Sequence, residues 1–232
     1  MQASTMQLNL EGMTGLTGVR AGAWQRWRET GWPDRHAEQW RFTRLSDVEK
    51  MNLRPAQNAA AVPAAKAISA ELPHNAIVLP FNNGVLDFAS LSDLPKGASA
   101  SQLDGNDTNL AKLAGLVPKS HPISNLSLAA MSSGVHLEFT GAVEAPIILA
   151  FAGDDESLSA HPVVSVRLQD GASAVLAEWH QAAVGLSAPL MSVDVGAEAR
   201  LSYAKVQQDS TNSTHLAATG LRLGEGAIFD GF

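Results

Sequence analysis

Two pairs of side chains in this sequence have the residue types that metal-binding or proton-transfer chemistry uses. His136 and Glu138 stand two apart, as do Glu178 and His180. At that spacing two residues of an extended strand share one face. An imidazole beside a carboxylate is a ligand set for a divalent transition metal, and equally a hydrogen-bonded ion pair. His136 and Glu138 alternate with Val135, Leu137 and Phe139, so they fall on the polar face and are expected to meet solvent. Glu178 and His180 continue a count by twos from Ala174 and Leu176. That parity turns both inward, where an unpaired charge is expensive, unless a corner breaks the strand first. A structural pair is the favoured reading of Glu178 and His180, and metal ligation is the alternative.

Nothing else in the sequence extends these pairs into a catalytic set. There is no cysteine, which excludes disulfides, a thiolate nucleophile and thiolate ligands from this chain. No G-x-x-x-x-G-K-S/T, H-E-x-x-H or G-x-S-x-G run occurs. His74, His121, His161 and His215 stand isolated along the chain. No catalytic residue is assigned, and the expectation is a protein that is not an enzyme.

The elements that must hold these residues change character along the chain. Leu16, Val19, Ala23, Trp24 and Trp27 recur at helical spacing, and Gly31 with Pro33 marks a stop. The tryptophans are read as a core-facing stripe. Residues 1–54 are expected to form a helical N-terminal region, and the Ala- and Pro-rich residues 55–75 a linker. From residue 76 to 232 short alternating runs dominate, such as Val164, Val166 and Leu168 against Ser165 and Arg167. A polar stretch from Leu103 to Leu116 interrupts them as a loop or short helix.

The alternating runs repeat. With Gly171, Gly196 and Gly224 set in register, an aliphatic residue stands three positions before each, and Ala174, Ala199 or Ala227 three positions after. Leu176, Leu201 or Phe229 stands five positions after. Such a repeat suggests coils of a β-solenoid, with small residues stacking from coil to coil. Alanine fills 37 positions and aromatic residues only 6%, a composition suited to close stacking. The expected fold is mainly β, a parallel β-helix over residues 76–232 after the helical region.

Several segments resemble the SufD family of iron–sulfur cluster assembly proteins. Gly31-Trp32-Pro33, followed by Ala37-Glu38-Gln39-Trp40-Arg41-Phe42-Thr43-Arg44-Leu45, is similar to the family's "G-x-P … E-x-W-R/K-Y-T-x-L" signature, with Phe42 in place of tyrosine. Pro33, Glu38, Trp40, Arg41, Thr43 and Leu45 carry that match. Phe81-Asn82-Asn83-Gly84-Val85-Leu86 resembles the "V-N-G" strand, and Gly134-Val135-His136-Leu137 with Pro146-Ile147-Ile148-Leu149 resembles "G-V-x-I … P-I-x-L". His161-Pro162-Val163, Gly171-Ala172 and Glu178-Trp179-His180 resemble "H-P-R … G-A … E-x-H", without the arginine.

The resemblance implies a right-handed parallel β-helix and a non-catalytic scaffold role in a SufBCD-like complex. The implied partners are a SufB-like β-helix subunit and a SufC-like ABC ATPase. It further implies that the chain stops inside a repeat, short of later coils and of the C-terminal helical domain that docks SufC in the family. No cofactor is expected on this chain alone; a cluster or iron would belong to the full complex. A homodimer is also allowed. The net charge of −7 argues against a nucleic-acid partner. The absence of a basic-apolar start or a long apolar run points to a cytoplasmic protein without membrane contact. The alternative reading is a carbohydrate-active or generic binding β-helix.

Overall fold

The computed structural model describes residues 16–33, 37–43, 45, 48–57, 68 and 72–232. The expectations for residues 1–15, for Arg44 and for 58–67 and 69–71 of the Ala/Pro stretch lie outside the described residues.

Among the described residues, fifteen strands form three sheets. Sheet 1 joins β4 (Ala98–Gln102), β5 (Ser133–Phe139), β8 (Pro162–Leu168), β11 (Leu190–Val195) and β14 (Ala218–Leu223). Sheet 2 joins β2 (Ile77–Asn82), β3 (Val85–Leu86), β6 (Ile147–Gly153), β9 (Ser173–Ala182), β12 (Arg200–Gln207) and β15 (Ile228–Gly231). Sheet 3 is built from the short β1 (Arg54–Pro55), β7 (Leu158–Ala160), β10 (Leu186–Ser187) and β13 (Thr214–His215). The chain visits sheets 1, 2 and 3 in turn and then begins again, so each strand lies parallel to its counterpart one coil away. This is a parallel β-solenoid of about four coils. Among the described residues, only β2–β3 and β4–β5 pair antiparallel.

The alternation read from the sequence is what fills the solenoid. Val135, Leu137 and Phe139 stack on Val164, Val166 and Leu168, and these on Met191, Val193 and Val195, all buried. From sheet 2, Leu149, Leu176 and Leu201 meet them across the lumen. Strands about 4.8 Å apart put matching side chains in van der Waals contact, so each coil continues the core of the last.

The glycine register inferred from sequence needs a correction on one coil. Leu168 pairs with Val195 and Val195 with Leu223. Gly196 and Gly224 therefore correspond to Gln169, while Gly171 corresponds to Glu198 and Gly226. These last three share a left-handed corner, with φ of 72°, 55° and 66°. The slip is two residues, an even number, so the inward positions stay inward. Glu198 is the corner residue that carries a Cβ in a conformation suited to glycine. Glu198→Gly is expected to raise stability by about 0.5–1 kcal/mol, read as a higher thermal midpoint; a lower midpoint would contradict this account of the corner.

Helices close the outer face of sheet 1. α1 (Gly18–Thr30) ends at Gly31, whose N–H donates to the Trp27 carbonyl at 2.7 Å. Trp27 is buried with Leu53, Ile123, Leu126 and Leu186, and Trp24 packs at the edge of the same cluster, so the stripe faces the core as expected. α2 (Thr108–Leu116) is N-capped by Asp107 and falls in the stretch read as a loop or short helix. α3 (Pro122–Ala129) was not anticipated. Residues 123–129 are all buried, so no polar face gives the sequence a helical period. His121 caps it, its Nδ1 accepting from the Ser124 N–H at 3.2 Å. Arg20 donates to the Ala129 carbonyl at its other end.

At the junction of the two expected regions, Arg54 and Pro55 pair with β7 and Ala56 is buried beside Leu158. Ile68 is buried against Ala150 and Ala152.

Candidate functional site

β9 runs unbroken for ten residues, so the inward parity of Ala174 and Leu176 carries through Glu178 and His180 to Ala182. Both candidates lie inside the solenoid, at 2% and 0% exposure. A charge survives there because the next coil supplies its partners. Lys205 is in register with Glu178, and its ammonium lies 3.2 Å from Oε2. His180 Nε2 lies 2.6 Å from the same oxygen, and the Tyr203 hydroxyl donates to Oε1 at 2.5 Å. The carboxylate thus receives three donors, as a buried anion requires.

The imidazole is placed by stacking. Phe81, Phe151 and His180 occupy one register line through three coils. Phe81 and Phe151 stack at 4.7 Å between centroids, and Phe151 and His180 at 4.5 Å with planes 7° apart. His215 from sheet 3 meets His180 edge-on at 4.7 Å. Its Nδ1 lies 2.9 Å from Asp209 Oδ2, at angles short of a hydrogen bond. Asp209 Oδ1 accepts from the Ala182 N–H at 2.8 Å. His180 Nδ1 is buried without a partner.

The electrostatics follow from burial and pairing. Burial raises the Glu178 carboxyl, but His180, Lys205 and Tyr203 outweigh it and hold the group at about 2. Burial pushes the His180 imidazole below its usual value, against the pull of Glu178. Burial and the adjacent carboxylate push the Tyr203 phenol up. At neutral pH the arrangement is therefore an ionised Glu178, a neutral His180 and a protonated Tyr203. The bond to Glu178 sets the His180 tautomer, with the proton on Nε2 and the lone pair on Nδ1. None of these three groups is poised to exchange a proton near neutrality.

Among the described residues, no group of three or more His, Asp or Glu is placed to hold a metal ion. The structure thus brings Glu178 and His180 together, bonded to each other. Sequence reasoning missed Tyr203, Lys205, Asp209 and His215. The usable signal was the coil length: Lys205 lies one coil after Glu178 and directly beside it.

His136 and Glu138 do share the outer face of β5, as expected, but they do not meet open solvent. Both are half-buried and line a groove between sheet 1 and α2. His136 Nδ1 lies 3.1 Å from the Ser165 hydroxyl, and Glu138 accepts from Gln169 Nε2 at 3.0 Å. The N-terminal motif residues form a cover beside α1. Leu45 is buried, Trp40 and Pro33 are half-buried, and Glu38, Arg41 and Thr43 are exposed. The Trp40 ring sits 5.8 Å from His121, and the Arg41 guanidinium lies 4.5 Å over the Phe42 ring. No described helix is long and apolar enough to cross a membrane.

A comparison with curated proteins gives no match. Residues 151–232, the coils from β6 onward that contain Glu178 and His180, match the family model described as SUF system FeS cluster assembly, SufBD core domain, so over this segment the chain is similar to proteins of the SufB/SufD type.

Proposed function

We propose that this chain is a non-catalytic scaffold subunit of a SufBCD-like complex for iron–sulfur cluster assembly, acting in the manner of SufD. The observation that carries the reading is that the matched segment is the stacked solenoid itself, in a sequence with no cysteine. Coils of this kind supply shape and strand edges. They supply no thiolate, so cluster sulfur and iron, the cargo, would be held by thiolates of a SufB-like β-helix partner. A SufC-like ABC ATPase would supply nucleotide hydrolysis, and the setting would be the cytoplasm. The buried network around Glu178 fits this role as a lock inside the solenoid. The lining of the outer groove holds no Trp, Tyr or Phe, so it lends no support to a carbohydrate-active reading.

Co-expression of a tagged full chain with SufB-like and SufC-like proteins tests the proposal. The expected result is co-purification with the SufB-like subunit through a salt wash. Recovery of the tagged chain free of both proteins, although all three are soluble, would remove the scaffold reading.

A further inference from the structure

The outer face of sheet 1 carries two polar ladders that the lumen network does not use. Strand register sets Ser101, His136, Ser165 and Ser192 side by side. The neighbouring row is Ser99, Glu138, Arg167, Asp194 and Arg222. α2 lies across β8, β11 and β14 and leaves a groove of about 770 Å³ between helix and sheet, into which both rows project. Gly220, in register with Ser192, closes one end. A Cβ there would stand 2.7 Å from the Leu116 carbonyl oxygen, so the missing side chain lets the end of the helix settle on the sheet.

The charges in this groove are unevenly matched. Asp194 Oδ1 accepts from Arg222 Nε at 2.8 Å, and Oδ2 takes both Arg222 Nη2 and Arg167 Nη1. Two guanidinium groups on one carboxylate leave a positive charge uncompensated where β8, β11 and β14 meet α2. Lys112, on the helix above, adds a second. Its ammonium makes one contact in the described structure, a 3.5 Å approach to Asn109 Oδ1. Glu138 stands beside Arg167 in register and offsets part of this charge, while it and Asp107 also act on His136; the groove lining still holds three cations, Lys112, Arg167 and Arg222, against two carboxylates, Glu138 and Asp194.

The hydroxyls point the same way. Ser99, Ser101 and Ser192 line the groove without a hydrogen-bond partner among the described residues. Ser192 is only 2% exposed, but its Oγ keeps accessible surface, so the hydroxyl is open to the groove and free to donate there. Surplus cations beside unpaired donors form a pocket for oxygen anions.

We infer that this groove binds a small ligand bearing phosphate or carboxylate oxygens, held by Arg167, Arg222 and Lys112 with the Ser192 hydroxyl as a neutral donor. The site lies on the outside of the solenoid and does not depend on the scaffold reading. Calorimetric titration of the full chain in metal-free, low-salt buffer, with inorganic pyrophosphate in one arm and citrate in the other, tests it and separates the two chemistries. At least one probe is expected to bind with a Kd below about 1 mM. Lys112→Gln and Arg222→Gln should each weaken it by about tenfold, and Ser192→Ala by a smaller factor, with thermal midpoints unchanged for the two exposed cations. Binding weaker than about 1 mM for both probes, or binding that survives the K112Q/R222Q double substitution, would overturn the assignment.

Discussion

Replacing Glu178 by alanine should cost about 3 kcal/mol of folding stability, the scale seen when one member of a buried ionic network is removed. The carboxylate accepts from Tyr203, His180 and Lys205. Without it, the Tyr203 hydroxyl and the His180 N–H lose their acceptor inside the solenoid. Lys205, with 27% of its side chain exposed, can turn to water, which keeps the loss at the lower end of the range. Glu178→Gln keeps an acceptor for Tyr203 but loses the charge, so it should cost less, about 1–2 kcal/mol. Urea unfolding at pH 7 reads both, and a loss below about 1 kcal/mol for the alanine variant would mean that the network does not hold the lumen together. The informative companion is Glu178→Leu with His180→Phe. That pair extends the stacked Phe81 and Phe151 line by one apolar ring and removes the charge and its nearest partner together. Well-packed apolar replacement of a buried ion pair is often neutral or better, so the double variant should recover most of the loss.

A second large effect is expected on acidification, and His161 is its main source. The side chain is wholly buried between β7 and β8, and neither ring nitrogen has a hydrogen-bond partner. Burial alone pushes its pKa down to about 3. In the unfolded chain the same imidazole titrates near its ordinary 6.5. Below that pH the unfolded state takes up a proton that the folded state refuses, so stability falls as the pH drops from 6.5 toward 3. The slope for one such group is about 1.4 kcal/mol per pH unit, or about 2 kcal/mol between pH 6.5 and 5. His180, also held neutral by burial, acts in the same direction. Glu178 adds a separate loss lower down, from about 4.5 toward 2, as its stabilised carboxylate becomes protonated. Urea midpoints of wild type and His161→Leu at pH 7 and pH 5 separate these contributions. The variant should match or exceed wild type at pH 7, since it removes two unpaired polar atoms, and should lose clearly less on going to pH 5. Equal losses in the two proteins would show that His161 is not the acid-sensitive group.

How much of this was legible beforehand differs from element to element. α1 announced itself through the spacing of Val19, Ala23 and Trp27 and the stop at Gly31, because a helix half in and half out of the core must alternate with a period near 3.6. The solenoid strands did the same with a period of two. α3 gave no such sign, since it is covered on every side. The Asn83-Gly84 pair, with φ of 51° and 84°, closes the β2–β3 hairpin. Asn-Gly between apolar runs is a strong hairpin signal, and here it adds one antiparallel pair to a sheet whose other pairs follow the parallel repeat.

By itself the sequence determined which way side chains face. Parity along a strand is local, so Glu178 and His180 were inward, and His136 and Glu138 outward, before any contact was known. The repeat also carried the kind of architecture, since coils of nearly constant length with small stacking residues have few other ways to bury a core. Only the tertiary structure decided who the neighbours are. The two-residue slip at Gly171, invisible to a parity count, determines that Lys205 rather than another residue lies beside Glu178. The same register lines up Glu138, Arg167, Asp194 and Arg222. Contacts between coils join residues far apart in sequence, and a shift of two positions changes each partner while leaving each side chain on its face. Orientation is a property of one strand; a site is a property of several, and it exists only once their register is set.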